Sequence, residues 1–475
     1  MAKYKIWAIL VAFSLISGGC GSSQVNPQIA FEDVQTDLAK RVNEKPVWHI
    51  DDEARKAAAE RVRGMLADEL TCEEAIRIAM LNNYRLQATY ERLGIAQARV
   101  VQAGLLPNPM FDASVRFVEG PRSDYILEMG ALQNIMELLL IPLKKRLSKA
   151  QLEVAKSEVV GIVLDVVAQV RIAYVTLQSA EQTLSLNEQI LAATEASYDA
   201  ARRLHEAGNI TDLALANERA LYEQSKLNVA SAELAVMQRH EKMNTLMGLW
   251  GRKTSWKIEG DLPDIPEDLL HLHDLERRVV KNSLDLKIIR KRMMVVAERI
   301  GIDTSKLVFP ELAAGAEAER EPDGTWSVGP TFGIGIPLFD QGVARKAAGS
   351  AELKRLWNEY TAMSVELRSL SRAARYRLLN ARRQNQYYRT VIVPLAEQIT
   401  GETQLRYNAM QLGVFQLLAA KQREIDTRRR AISALENYWV ARVELDLLLD
   451  GRMKGQTINA SGGGGMSMPQ REGGH

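Results

Sequence analysis

The side chains that could hold a metal or activate a nucleophile are few and scattered through the chain. Histidine occurs six times, as His49, His205, His240, His271, His273 and His475. His271 and His273 stand close enough in HLH to share a metal, yet their setting reads as an exposed loop. Near the C-terminus, ASGGGGMSMPQREGGH brings together Met466, Met468 and His475, soft ligands of the kind that suit copper. Glycine-rich tails of this composition are as a rule disordered, and neither stretch is assigned a metal. Cys72 lies near a helix start among apolar neighbours and reads as an inert buried residue. The chain holds no phosphate-binding loop, no G-x-S-x-G, no H-E-x-x-H and no C-x-x-C. The expectation is a protein that is not an enzyme and needs no cofactor.

Cys20 is the exception, and its chemistry is lipidation. Lys3 and Lys5 precede an apolar run from Trp7 to Ile16, too short to span a bilayer, which ends in LISGGC. This resembles a bacterial lipoprotein signal, in which residues 1–19 are removed and Cys20 carries lipid. Ser17 stands where that motif usually has leucine, so a plain secretory signal is the alternative. Gly21 follows Cys20 instead of the aspartate associated with inner-membrane retention. No later segment has 18 uncharged apolar residues, so no transmembrane helix is expected. With only two cysteines, Cys20 and Cys72, a disulfide framework is excluded.

The 475 residues are 46% hydrophobic and 25% charged, with only 6% aromatic, a mix that suits long helices. A net charge of +2 argues against a nucleic-acid binder. Residues 20–69 read as an arm and a short helix with Asp51 at its N-cap. A helical pattern runs from Thr71 to about Leu106 and stops at PNP (107–109). MFDASVRFV then alternates with the two-residue period of a strand, EGPRSD turns, and YILEMGAL returns, giving strands at about 110–118 and 125–132. Pro142 in LIPLKKR is expected near the start of the next helix. That helix has no break other than Gly161 from Leu143 to Ala207, on the order of 90–95 Å at the usual rise. Val163, Val166, Val170, Ala173, Leu177, Ala180 and Leu184 form a heptad seam along it. HEAGNITDL (205–213) makes a turn with Gly208 as C-cap, and Thr211 or Asp212 caps a helix running to about Gly248.

The second half repeats this order about two hundred residues later. LERRVVKNSLDLKIIRKRM echoes EEAIRIAMLNNYRLQATYERL, GIPLFDQGVARK echoes LIPLKKRLSKAQ, and RYNAMQLGVFQLL echoes LHEAGNITDLALA. The reading is a first repeat at 70–251, a linker at 252–271, a second repeat at 272–451 with strands at about 311–319 and 326–336, and a disordered tail at 452–475. Pro107 and Pro109, Pro142, Pro310 and Pro337 are expected at the four strand–helix junctions. In the strands, Phe111, Val115, Phe117, Leu127, Phe332, Ile334 and Ile336 would share an apolar face. Asp112, Arg116, Glu128 and Glu317 would share the other, with Gly333 and Gly335. An apolar face against a polar or small one fits a transmembrane barrel with lipid outside and water inside.

LTCEEAIRIAMLNN, QARVVQAGLLPNP, IPLKKR, IPLFDQG, the two turns and the duplication together resemble the TolC-like outer-membrane efflux channels, from about residue 70 to 451. Cys20 is similar to the lipoprotein branch of that family. The resemblance implies a mainly α fold with a small β part: a long helical periplasmic barrel, and four strands per subunit within a trimeric 12-stranded barrel. It implies a passive conduit for small molecules or metal ions, in the outer membrane and extending into the periplasm. Its partners would be a periplasmic adaptor and an inner-membrane pump. Gly208, Asn209, Ile210, Thr211 and Asp212, with Ala409, Met410, Gln411, Leu412 and Gly413, would be the adaptor-binding tips. Met410 replaces Gly208, so the second tip is expected to differ in shape. Glu195, Asp199, Glu206, Glu397 and Glu402 near the tips read mainly as solvated helix faces. The alternative is a lipid-anchored coiled-coil scaffold without a pore, which has no need of four alternating strands.

Overall fold

The computed structural model describes residues 25–42, 44–118, 124–267, 274–308, 311–336 and 338–453. Cys20, the HLH stretch, Met466, Met468, His475, Pro310 and Pro337 lie outside the described residues. The elements run α1 (Gln28–Ala39), α2 (Asp52–Met65), α3 (Cys72–Asn82), α4 (Tyr84–Gln102), β1 (Met110–Val118), β2 (Asp124–Asn134), α5 (Ile135–Glu206) and α6 (Asp212–Met247). They continue with α7 (Leu275–Asn282), α8 (Leu284–Val308), β3 (Glu311–Arg320), β4 (Trp326–Gly335), α9 (Val343–Tyr387), a π turn (Tyr388–Ile392), α10 (Val393–Asn408) and α11 (Val414–Leu449).

Local chemistry sets most of these bounds. Asp51 caps α2 by accepting the Ala54 N–H at 2.7 Å. Thr71 and Glu74 form a capping box at α3, each side chain bonded to the other's backbone N–H. The single helix expected from Thr71 to Leu106 is in fact two, because Asn83 leaves helical geometry. Its side chain donates to the Leu246 carbonyl at 2.8 Å and accepts the Arg85 N–H at 2.8 Å.

The long helix also departs from expectation. It begins at Ile135, directly after β2, so Pro142 lies inside it and not at the junction. Asn134 is the reason: its side chain accepts the Glu137 N–H at 3.0 Å and caps the helix before the proline is reached. Pro142 then costs one helical bond, since it has no N–H to donate. The 72 residues of α5 have a contour length of about 108 Å. Along its seam Val163, Val170, Ala173, Leu177 and Ala180 are buried, and Val166 and Leu184 are half-buried. In the second repeat the matching helix is interrupted by the π turn. Pro394 cannot donate, and the Val393 N–H reaches back five residues to the Tyr388 carbonyl.

The chain divides into two compact units. One gathers residues 1–34, 90–156 and 291–357, and its described part holds the antiparallel sheet in the order β1-β2-β3-β4. Ala30, Val100 and Leu152 form a small core there, and Lys156 bonds Asp33 at 2.8 Å. The other gathers residues 35–89, 157–290 and 358–475. Its core includes Val279, Leu286, Leu367, Leu378, Tyr438 and Leu445. Leu70 pairs with Ile258, which ties part of the expected linker to the first repeat. Arg452, buried, forms a bidentate ion pair with Asp165 at 2.7–3.0 Å and pairs with the buried Asp285. Asp285 also accepts the Met453 N–H at 3.0 Å.

Candidate functional site: a two-faced sheet and two helix turns

The strand register sorts the sheet into rows. Asp112, Gly130, Glu317 and Gly329 stand opposite one another across the four strands, and the next row holds Ser114, Glu128, Glu319 and Ser327. Between them, on the other face, run Ala113, Met129, Ala318 and Val328, then Val115, Leu127, Arg320 and Trp326. The strand period thus places Asp112, Arg116, Glu128 and Glu317 together on one face. Phe111, Val115, Phe117, Leu127, Phe332 and Ile334 share the other. Ile336 lies just past β4 and is exposed.

The polar face is held by short bonds. Glu128 pairs with Arg116 and accepts the Ser114 hydroxyl at 2.8 Å. Glu317 accepts the Thr331 hydroxyl at 3.4 Å. The Asp112 carboxylate lies directly over Gly130, where a Cβ would come within 2.6 Å of its oxygen, so glycine is what lets the acid fold back across the strand. The apolar face ends, at the hairpin side, in Phe117, Tyr125 and Trp326, with the Arg320 guanidinium 4.5 Å from the Tyr125 ring. Sequence reasoning missed Leu338 and Phe339. Both lie within the IPLFDQG motif and are exposed, Phe339 completely, and two apolar residues beyond a strand end were the available signal.

The two turns match bond for bond. At the first, the Gly208 N–H donates to His205 and the Asn209 N–H to Leu204, both at 2.8 Å. At the second, the Met410 N–H donates to Tyr407 and the Gln411 N–H to Arg406, both at 2.9 Å. Gly208 has φ +75° and Met410 φ +57°, so both are left-handed and both close the same C-terminal helix motif. The expected difference in shape is therefore absent: Met410 adopts the glycine conformation, and its side chain is 94% exposed. Thr211 caps α6 by accepting the Ala214 N–H, while Asp212 is held 2.6 Å from His205 Nε2. Gly413 stands in Thr211's place with the same extended backbone and no side-chain bond.

Own-chain partners hold several of the nearby acids. Tyr222 donates to Glu195, Arg202 lies 3.4 Å from Asp199, and Arg428 pairs with Glu397 at 3.0 Å. Among the described residues no group of three or more His, Cys, Asp or Glu is placed to hold a metal. His240 stacks on Trp256 at 4.0 Å. Burial foremost pushes the Cys72 thiol up to about 12, which keeps it protonated and unreactive.

Residues 144–252 match the family model described as outer membrane efflux protein. The match covers that segment, and the chain is similar to outer-membrane efflux proteins beyond it. Over 392 residues, 81% of its length and 90% of the relative's, the chain is 23% identical to the cobalt-zinc-cadmium resistance protein CzcC of Cupriavidus metallidurans. Its fold matches CusC with a TM-score of 0.66 at 14% identity, covering 80% of this chain and 92% of CusC. It matches the outer-membrane channel OprN with a TM-score of 0.67 at 17% identity, covering 80% and 90%. The outer-membrane protein VceC of Vibrio cholerae gives 0.66 at 13% identity, covering 81% and 97%. The chain is thus mainly helical with a small four-stranded sheet, and its fold is that of these outer-membrane channels.

Proposed function

We propose that the protein is the outer-membrane component of a tripartite efflux system, acting as a passive homotrimeric conduit for divalent metal cations. One observation carries this reading: a four-stranded sheet with an apolar face, a polar face and two unpaired edges, β1 and β4. Such edges are not tolerated in lipid, where each unpaired backbone group costs several kcal/mol. Pairing β4 of one copy with β1 of the next closes twelve strands in three copies, a size that outer-membrane barrels adopt. In the closed barrel Phe111, Val115, Phe117, Leu127, Phe332, Ile334 and Ile336 face lipid, and Asp112, Arg116, Glu128 and Glu317 line the lumen.

The cargo reading rests on two supports. The curated relative is named for resistance to cobalt, zinc and cadmium. The lumen face carries Asp112, Glu128, Glu317 and Glu319 against one cation, Arg116, a bias that favours cations in a pore. The exposed turns at Gly208–Asp212 and Ala409–Gly413 dock a periplasmic adaptor, which links the channel to an inner-membrane pump. Lipid on Cys20 anchors the mature chain to the outer membrane. No nucleotide-binding loop exists in the sequence, so transport is powered by the pump.

Reconstitution of the full mature protein into planar bilayers tests this reading. Discrete conductance steps with cation-over-anion permeability are expected, from particles whose native mass is three chains. A well-folded helical protein that gives no conductance would instead support a pore-free scaffold.

A further inference from the structure

The first repeat leaves the sheet with a run of positive charge that the second repeat lacks. Residues 138–152, LLLIPLKKRLSKAQL, hold four cations, Lys144, Lys145, Arg146 and Lys149, and no acid. Lys144 lies 3.5 Å from Glu137 on the same helix. Lys145, Arg146 and Lys149 are exposed, and among the described residues they make no ion pair or hydrogen bond. In the echo GIPLFDQGVARK the four positions become Phe339, Asp340, Gln341 and Ala344. There Asp340 pairs with Arg345 at 2.9 Å and accepts the Gly342 N–H at 2.9 Å, so its charge is answered within the turn. Both repeats pass from strand to helix at this point, and only the first carries unpaired cations there. The fold of the junction therefore does not require them.

Two contacts place these cations on the lipid side of the sheet. Gln133 stands on the apolar face of β2, in phase with Met129 and Ala131. Its side chain donates to the Pro107 carbonyl at 3.1 Å, which draws the segment before β1 towards that face. On this segment Leu105 and Leu106 are exposed, Leu106 by 73%. One residue earlier, a Cβ on Gly104 would lie 3.7 and 3.8 Å from Cδ and Cε of Lys145, so the lysine stem packs along the chain there. A strip thus runs from the apolar face through Leu106 to Lys145. Along α5 the order is the same: Leu139 and Pro142 are exposed, then Arg146 and Lys149, at steps of three and four that make one helix face. Lys145 follows Ile135 by about 15 Å of helix, with Leu139 between. Such long side chains lay their stems on apolar surface and carry their charge to the headgroups.

We propose that Lys145, Arg146 and Lys149 bind the phosphodiester headgroups of anionic glycerophospholipid in the periplasmic leaflet, with Leu105, Leu106 and Leu139 against its acyl chains. This inference rests on the outer-membrane reading above. Charge chooses the occupant. The three cations lack a counter-charge in their own chain, and a phosphodiester supplies one that a zwitterionic headgroup largely cancels. Arg146 can meet a phosphate through two parallel N–H bonds, while the lysines act as mobile point charges. On the path of a cation the same three residues would oppose the acids of the lumen face, Asp112, Glu128 and Glu317. The strip is continuous with the lipid-facing side of the sheet, so the lipid that meets Phe332 and Ile334 has its headgroup layer beside these cations.

The test uses the full mature protein, purified in detergent, mixed with equal amounts of phosphatidylglycerol and phosphatidylethanolamine, and read by native mass spectrometry. Wild type should retain phosphatidylglycerol in preference, and the preference should weaken as salt rises from about 0.05 to 0.5 M. Each cation beside an anionic surface is worth about fivefold. Lys145→Gln, Arg146→Gln and Lys149→Gln together should therefore lower the preference about tenfold or more, with phosphatidylethanolamine retention and bilayer conductance unchanged. Lys145→Arg with Lys149→Arg keeps the charge and should bind as wild type does. Equal retention of the two lipids by wild type, or an unchanged preference in the triple variant, would overturn the inference and leave the conduit reading intact. A stronger preference for the phosphates of lipid A would move the site to the opposite leaflet and overturn it as well. A wild-type protein that gives no conductance in bilayers would overturn the outer-membrane reading, and this inference with it.

Discussion

At the end of α6 the chain turns back and buries Leu249; at the end of α11 it makes the same turn and buries Arg452. The Leu249 N–H donates to the Asn244 carbonyl at 2.8 Å, and the Arg452 N–H to Leu447 at 3.0 Å. One end buries an apolar side chain, and the other holds an ion network with Asp165 and Asp285. The same relation recurs at Gly208 and Met410. Helix ends depend on local backbone bonds, so duplication preserves them. Side chains answer to neighbours, and the two repeats have different neighbours.

The largest test of this contrast is Arg452→Leu, which copies the first repeat's residue into the second. It leaves the Asp285 carboxylate buried without its guanidinium, and the expected loss is about 3–5 kcal/mol. The denaturant midpoint should fall with the slope unchanged, and Asp285→Leu added to it should recover most of the loss. An Arg452→Leu variant within 1 kcal/mol of wild type, roughly the effect of an ordinary surface change, would show the network is dispensable.

Adjacent residues of β4 offer the next contrast. Ile334→Arg should cost about 2–4 kcal/mol on folding into bilayers if it lies near the midplane. Gly333→Arg should be tolerated, since a Cβ there meets only Ala313 at 3.8 Å. The reverse ranking would mean that the sheet faces the other way.

A pH effect separates the two helix ends further. Burial foremost, then the neighbouring Asp446, raises the Asp450 carboxyl to about 6. A carboxyl whose folded value is raised stabilises the fold when protonated. Its contribution is present below the unfolded value near 3.8 and is lost as pH rises through 6. Wild type should therefore lose about 1–2 kcal/mol across that window, allowing for partial exposure. Asp450→Asn should lack this loss, and equal pH profiles would exclude the effect.

The smallest change concerns the turns. Met410→Gly removes a left-handed methionine, worth about 1–2 kcal/mol, but loosens the unfolded chain by about 0.5–1 kcal/mol. A net gain of about 0.5–1 kcal/mol is expected in thermal unfolding. Gly208→Val should lose stability through the same geometry, and a Met410→Gly variant less stable than wild type would mean that the methionine makes a stabilising contact.

Much of the fold was legible because its signals are local. Alternation over MFDASVRFV placed β1, the turn glycine placed Gly208, and Asp51 and Thr71 marked helix starts through bonds three residues away. One departure had an equally local cause that was outweighed in reading: Asn134 caps α5 ahead of Pro142. Met410 was unreadable in isolation, since methionine seldom turns left-handed and only the flanking helices compel it.

The sequence by itself determined the period of each segment, the turns between them and the duplication, because these follow from bonds and sterics within a few residues. Only the tertiary structure decided which faces are filled. Arg452 reaches Asp165 and Asp285 from 287 and 167 positions away, and no local pattern encodes such a meeting.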